Sequence, residues 1–321
     1  MSQRALSGPG ALRDATRASW LGHTRWRARR FALQFALVFA LGLTGRPAFA
    51  QPARVVDDRG KALTLAVPPQ RIVSLLPSLT ETLCELGACD KLVGTDRYSN
   101  WPETVRGLPK LGGLEDAQVE RIVALAPDLV LVANSPRLIE RLEALGLPVL
   151  MLIPDSLDDA RRAARVLAAV LGAAAAGERL WQRIDQRIAA AAARVPLALR
   201  GRRVYLEVAS APYAAGETSF IGQVMKQMGL ANIVPASLGP FPRLNPEFVL
   251  RAQPDVLIAS AAALAEMPAR PGWWALRALR EGRSCGIAPA RWDMLVRSGP
   301  RLGEAADVIA DCLQRVAATA R

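Results

Sequence analysis

Histidine is almost absent from this sequence of 321 residues. The one histidine, His23, lies in a leading segment that we expect to be removed from the mature protein. Its absence from the rest excludes Ser-His-Asp and Cys-His catalysis, histidine-bearing zinc sites and histidine-ligated haem. The sequence also has no G-x-x-x-x-G-K-[ST] motif, and no G-x-G-x-x-G motif follows a predicted strand. A binding protein is therefore a simpler interpretation than an enzyme.

The basic charge is concentrated at the start of the chain. The formal net charge is +12, but residues 1–50 hold eight of the 41 Lys and Arg residues and one of the 29 Asp and Glu residues. Arginines between residues 25 and 30 precede an apolar run, Phe31 to Leu43, which is followed by Ala48-Phe49-Ala50. This order is typical of a secretory signal peptide, and the run is shorter than the ~20 residues of a membrane span. We expect cleavage near Ala50, a mature protein in the periplasm and no nucleic-acid partner.

Four cysteines follow the leading segment, namely Cys84, Cys89, Cys285 and Cys312. An even number in an oxidising compartment predicts up to two disulfides, and three pairings are open. One pairing joins sequence neighbours, Cys84 with Cys89 and Cys285 with Cys312, whereas buried free thiols are the alternative. Neither of these pairs has the C-x-x-C spacing of a redox or zinc site, so we expect no chemistry at these residues.

Two stretches of the chain show apolar strands alternating with helices, as in an α/β protein with parallel sheets covered on both faces. We predict a first α/β lobe over residues 51–154, connecting helices over 155–196 and a second α/β lobe over 197–321, after a signal peptide at 1–50. A helix from Ala174 to Arg194 would span ~31 Å at ~1.5 Å per residue, which is long enough to bridge the two lobes.

A short pattern occurs once in each predicted lobe. Glu120 lies seven residues before Pro127-Asp128, and Glu247 lies seven residues before Pro254-Asp255. An apolar strand follows each Pro-Asp pair. This repetition indicates two lobes of similar construction.

Four segments carry a resemblance to a known family: residues 71–81, 94–102, 120–128 and 293–301. With them the sequence resembles the class III, helical-backbone periplasmic binding proteins of ABC importers, which carry cobalamin, iron siderophores or haem. The resemblance covers nearly all of residues 70–315. It implies two α/β lobes bridged by a long helix, with a ligand cleft between them. It also implies a monomer without a resident metal or cofactor, a small-molecule ligand and a membrane permease as partner.

The likeness is greatest to the cobalamin binders, so cobalamin is the expected transported ligand. The positions that match ligand-contacting residues of these proteins are Tyr98, Tyr213, Phe241, Asp293 and Arg297. For Asp293 and Arg297, an i,i+4 ion pair within a helix is the alternative. Leu114 occupies a position where the most similar cobalamin binder has an aromatic residue, which leaves one cleft wall thinner. Haem held by a tyrosinate, or a ferric siderophore, is therefore the alternative ligand.

Two glutamates match the residues that these binding proteins present to arginines of the permease, Glu120 in the first lobe and Glu247 in the second. The alternative is stabilisation of a helix start, because Asn245-Pro246-Glu247 places Glu247 in a first turn. A function from another class, a hydrolase acting through Asp293 and Glu217, is disfavoured because no nucleophile and base can be paired.

Overall fold

The computed structural model describes residues 52–210 and 212–319, so the predicted signal peptide and its cleavage point at Ala50 lie outside the described residues. The strands within these ranges are β1 (Ala53–Val56), β2 (Ala62–Leu65), β3 (Ile72–Ser74), β4 (Leu92–Thr95), β5 (Leu129–Val132), β6 (Val149–Met151), β7 (Arg203–Ala209), β8 (Tyr213–Ala214), β9 (Ala231–Asn232), β10 (Val256–Ser260) and β11 (Ser284–Ile287). The α-helices there are α1 (Pro77–Glu85), α2 (Val119–Ala124), α3 (Pro136–Ala144), α4 (Leu157–Val170), α5 (Ala174–Ala193), α6 (Phe220–Gln227), α7 (Pro246–Ala252), α8 (Ala261–Glu266), α9 (Arg277–Arg280), α10 (Pro289–Leu295) and α11 (Leu302–Thr319). In this part of the chain, no helix combines the length and the apolar character that crossing a bilayer requires.

The first sheet has the strand order β4-β3-β5-β6, and all its pairs are parallel. Successive residues of β5 enter different cores: Leu129 and Leu131 pack on one face of the sheet, Val130 and Val132 on the other. This alternation follows from the pleat, and both faces are apolar because helices cover both. The predicted parallel α/β organisation is confirmed here.

The second sheet is built around β7, which pairs in parallel with β10 and β9, and β11 extends the sheet beyond β10. The short strand β8 pairs with β7 in the antiparallel direction. Along β10, Val256 and Ile258 join one core, whereas Leu257 and Ala259 join the core on the opposite face. We use first lobe and second lobe for the elements packed around each sheet.

The repeated Pro-Asp pattern has the same structural role in both lobes. Asp128 accepts a hydrogen bond from the backbone N–H of Arg71, next to β3, and Asp255 accepts one from the backbone N–H of Arg203, at the start of β7; both distances are 2.9 Å. The residue two positions before each aspartate has a left-handed backbone, with φ of 45° and 43°. In both lobes, the same local geometry therefore ends the helix before the Pro-Asp pair and aligns the strand that follows it.

Two helices connect the sheets. The predicted helix is confirmed as α5, which buries Leu180, Ile184 and Ile188 in the core of the second lobe. Helix α4 contributes to both lobes, because Leu157 packs in the core of the second lobe and Leu167 in that of the first. The connection between the lobes is thus made by two helices, α4 and α5. The exact boundaries of the lobes stay predictions.

Both disulfides join sequence neighbours. Cys84 at the end of α1 is bonded to Cys89, and Cys285 in β11 is bonded to Cys312 in α11. The second bond ties the second sheet to the last helix. Of the three pairings that the sequence left open, the local one is therefore observed.

Candidate ligand cleft

A cavity of about 520 Å³ lies between the lobes, at the carboxyl ends of the strands. Loops that follow β3, β4, β5 and β6 line it from the first lobe, and this is the edge where parallel α/β sheets commonly bind ligands. We call this cavity the cleft. Its lining comprises Leu76, Pro77, Ser78, Tyr98, Ala133, Ile153, Pro154, Asp155, Val208, Phe220, Phe241, Asp293, Val296, Arg297 and Ser298.

Tyr98 presents an exposed ring to the cleft from a loop held by a buried carboxylate. The Asp96 Oδ1 atom accepts hydrogen bonds from the backbone N–H groups of Tyr98 and Ser99, at 2.7 and 3.0 Å. Burial raises the pKa of Asp96, although hydrogen bonds from Ser99 and from the Tyr98 N–H oppose this shift. The loop that carries Tyr98 is therefore anchored within two residues of its ring.

Two phenylalanines form the facing wall in the second lobe. Phe241 packs on Phe220 with ring centroids 5.5 Å apart and planes inclined by 54°. The loop around Phe241 is fixed because the carbonyls of Pro240 and Pro242 accept hydrogen bonds from the N–H groups of Gly216 and Ala214. Sequence reasoning missed Phe220, the first residue of α6, since a helix-start phenylalanine gives no signal beyond core packing.

Asp293 and Arg297 both line the cleft and form the i,i+4 ion pair, at 2.8 Å. Arg297 also donates to Glu81 Oε1 at 2.7 Å, to Asn100 Oδ1 at 2.8 Å and to the Tyr98 carbonyl at 3.0 Å. Its side chain is only 10% exposed. The guanidinium is therefore occupied by bonds to the first lobe, which the sequence pattern did not indicate.

A second arginine, Arg301 near the carboxyl end of the chain, also binds Glu81. Arg301 donates to both carboxylate oxygens, at 2.9 and 2.8 Å, and stacks over the Trp101 ring at 4.9 Å. The Glu81 side chain is 1% exposed. We call Glu81, Arg297 and Arg301 the inter-lobe clamp, because a buried carboxylate of the first lobe binds two guanidinium groups from the second.

Two of the predicted ligand-contacting residues lie outside the lining of the cleft. Leu114 lines an open pocket on the first lobe, where its carbonyl accepts a hydrogen bond from Ser135. Tyr213 lies in β8, its side chain is exposed, and its backbone bridges to Arg243. A ligand contact by either residue stays a prediction. Glu217, the proposed partner of Asp293 in a hydrolase, pairs with Lys226 at 3.5 Å and does not line the cleft.

The predicted docking glutamates occupy equivalent places in the two lobes. Glu120 is the second residue of α2 and Glu247 the second residue of α7, with side chains 84% and 72% exposed. Among the described residues, Glu120 pairs with Arg141 at 3.3 Å and Glu247 with Arg251 at 3.4 Å. The first-turn placement of Glu247 is confirmed, whereas docking of either residue stays a prediction.

The sequence model of one family, described as periplasmic binding protein, matches residues 72–289. This chain belongs to the periplasmic binding protein family. The match runs from the first residue of β3 to the first residue of α10, so it includes both sheets of the binding protein. The resemblance to the class III periplasmic binding proteins is thereby confirmed.

Relatives of this binding protein are named for two different ligands. A vitamin B12-binding protein of Pectobacterium atrosepticum is 28% identical over 254 residues, which cover 75% of this chain and 87% of that protein. An uncharacterized ABC transporter substrate-binding lipoprotein of Bacillus subtilis is 26% identical over 278 residues, 82% of this chain and 85% of the relative. The structure of a periplasmic heme-binding protein from Roseiflexus sp. RS-1 has a TM-score of 0.66 and 28% identity, covering 77% of this chain and 99% of the other. All three names describe solute-binding proteins rather than enzymes.

Proposed function

We propose that this protein is the extracytoplasmic substrate-binding component of an ABC importer and that its ligand is cobalamin. The observation that carries the proposal is the cleft, which is lined by Tyr98 from the first lobe and by Phe220 and Phe241 from the second. Aromatic walls on both sides suit a flat and partly apolar macrocycle, and each aromatic contact adds ~0.5–1.5 kcal/mol beyond its buried area. The name of the Pectobacterium atrosepticum relative supports this ligand, and the name of the Bacillus subtilis relative supports the role in an ABC transporter.

The charges of the cleft favour a corrinoid over haem. Its charged lining residues are Asp155, Asp293 and Arg297, and Arg297 is engaged by the clamp. Haem carries two propionate anions, which would meet two carboxylates in this lining, where the one lining cation, Arg297, is already paired. A corrin ring carries neutral carboxamides, whose N–H groups suit carboxylate acceptors.

In this role Glu120 and Glu247 would bind arginines of the membrane permease. One exposed carboxylate on each lobe would set the orientation of docking as well as its strength, because each charge-assisted bond contributes ~1.5–3 kcal/mol. Arg141 and Arg251, at 3.3 and 3.4 Å, are weak competitors on the exposed surface.

Haem is the second candidate, because the exposed phenol of Tyr98 lines the cleft and a tyrosinate can bind ferric iron. Calorimetric titration of protein purified from the periplasm with cyanocobalamin and with haemin distinguishes the two. We expect submicromolar binding of cyanocobalamin, below about −8 kcal/mol, and much weaker binding of haemin. Phe241→Ala should weaken cyanocobalamin binding about tenfold, whereas Trp274→Ala, an exposed aromatic outside the cleft lining, should not. Tighter binding of haemin than of cyanocobalamin would refute the cobalamin proposal.

A further inference from the structure

One acidic residue of the cleft, Asp155, has no hydrogen-bond or ion-pair partner for its side chain in the part of the chain that the structure describes. Asp155 lies between β6 and α4, in the segment where the chain leaves the first sheet. Among the residues that the structure describes, none donates a hydrogen bond to its carboxylate. By contrast, the other cleft carboxylate, Asp293, accepts from Arg297 at 2.8 Å and from Asn100 at 3.0 Å.

The backbone of Asp155 is fixed although its side chain is free. Its carbonyl accepts a hydrogen bond of 2.7 Å from the N–H of Phe220, which belongs to the aromatic wall of the second lobe. Its own N–H donates to the carbonyl of Ile153 at 3.0 Å, and Pro154 restricts the backbone between them. The backbone of Asp155 is therefore held where the two lobes meet, next to Phe220 of the aromatic wall.

The Asp155 side chain is exposed to solvent at the edge of the cleft, and its surroundings still disfavour its negative charge. Burial raises the pKa of Asp155, and the nearby carboxylates Asp159 and Asp58 raise it further. Those two neighbours are themselves paired with Arg162, which leaves Asp155 as the uncompensated member. An acidic side chain that lines a cleft between two lobes without a partner among the described residues is a candidate for contact with a ligand.

We propose that Asp155 is a ligand-binding residue of the cleft, which accepts a hydrogen bond from an N–H group on the edge of the ligand and repels ligands that carry carboxylates there. This inference rests on the proposed function and makes Asp155 a determinant of its specificity. A corrinoid offers carboxamide N–H groups at its periphery, whereas a porphyrin offers propionates. The bound ligand would supply the partner that the folded chain does not.

The test compares Asp155→Ala and Asp155→Asn with Asp158→Asn, a control three residues further on that is exposed and does not line the cleft. Cyanocobalamin and haemin are titrated by calorimetry, and thermal unfolding is followed without ligand. We expect Asp155→Ala to weaken cyanocobalamin binding about 10- to 100-fold, Asp155→Asn to weaken it less, and the control to bind as the wild type does. Both Asp155 variants should bind haemin more tightly than the wild type, because they remove a like charge.

Thermal unfolding separates a ligand-binding role from a structural one. A carboxylate that merely supports the fold would lower the melting temperature when it is replaced, whereas we expect Asp155→Asn to melt at or above the wild-type temperature. The inference is overturned if both variants bind cyanocobalamin within twofold of the wild type, or if affinity and melting temperature fall together.

If the wild type binds haemin instead of cyanocobalamin, the proposed function fails, and haemin then tests Asp155 by itself. Tighter haemin binding by the variants would support the repulsive role of the carboxylate, and unchanged binding would refute it.

Discussion

Replacing Glu81 by alanine should destabilise the protein far more than replacing an exposed glutamate of the same helix. The Glu81 carboxylate is buried and accepts hydrogen bonds from Arg297 and Arg301. Without it, two guanidinium groups whose side chains are each 10% exposed lose their main counter-charge. Breaking a buried ion pair by removing one partner costs about 3–5 kcal/mol, because the remaining charge is left desolvated. At about 2–4 °C per kcal/mol, the melting temperature should fall by about 6–20 °C.

Glu85→Ala is the matched control, four residues further along α1. Glu85 pairs with Arg183 at 2.8 Å, but both side chains are about half exposed, at 48% and 56%. An exposed pair contributes about 0–1 kcal/mol, so this variant should melt within about 4 °C of the wild type. Thermal and urea unfolding, followed by circular dichroism, measure both variants.

A second substitution tests the cause of the expected loss. If the uncompensated arginines are responsible, Arg301→Met in a Glu81→Leu background should recover part of the stability that Glu81→Leu loses, since it removes one stranded charge. Equal destabilisation by Glu81→Ala and Glu85→Ala would show that the clamp contributes no more than a surface pair and would refute the reasoning.

Three further predictions concern other parts of the molecule. Cys285→Ala combined with Cys312→Ala removes a disulfide whose cysteines are 27 residues apart. In urea titrations this should lower the free energy of unfolding by about 3–4 kcal/mol. The loss should be larger than on removal of the Cys84–Cys89 disulfide, whose cysteines are 5 residues apart. Hydrogen bonds from two flanking arginine side chains hold the pKa of Asp311 below its ordinary value of 3.8, so the stability that it contributes is present above pH 3.8 and lost as the pH falls through the lowered pKa. Asp311→Asn should therefore have a lower melting temperature than the wild type at pH 7. A difference in melting temperature that does not become smaller below pH 3.8 would contradict this. Glu120→Ala combined with Glu247→Ala should leave the dissociation constant for cyanocobalamin unchanged and abolish uptake in a transport assay, and normal uptake would show that neither residue docks.

The regular elements were predictable because their signals are local. The bounds of α5 and α7 and the apolar runs of β5 and β10 follow from periodicity and from helix-ending residues within the same segment. The strands that were not predicted give weaker signals: β8 and β9 have two residues each, the β1–β2 hairpin exposes half of its side chains, and β11 has the sequence Ser-Cys-Gly-Ile, without an apolar run. Their existence depends on the neighbouring strand rather than on their own sequence.

The cleft was only partly predictable, for a related reason. Tyr98, Phe241, Asp293 and Arg297 were placed by resemblance, and the structure brings them together in one cavity. The clamp could not be predicted, since Glu81 and Arg301 are 220 residues apart and meet only when the two lobes are packed. Such contacts depend on the relative placement of two sheets, which no local pattern specifies.

The clamp also bears on how far the cleft can open. Any opening that separates Glu81 from the two arginines must break their hydrogen bonds, although water would then solvate the separated charges and offset part of that cost. The paired helices α4 and α5 restrain the same movement, because α4 packs into the cores of both lobes. Ligand binding would therefore use a cleft that is already formed, and little of the binding free energy would be lost in closing it.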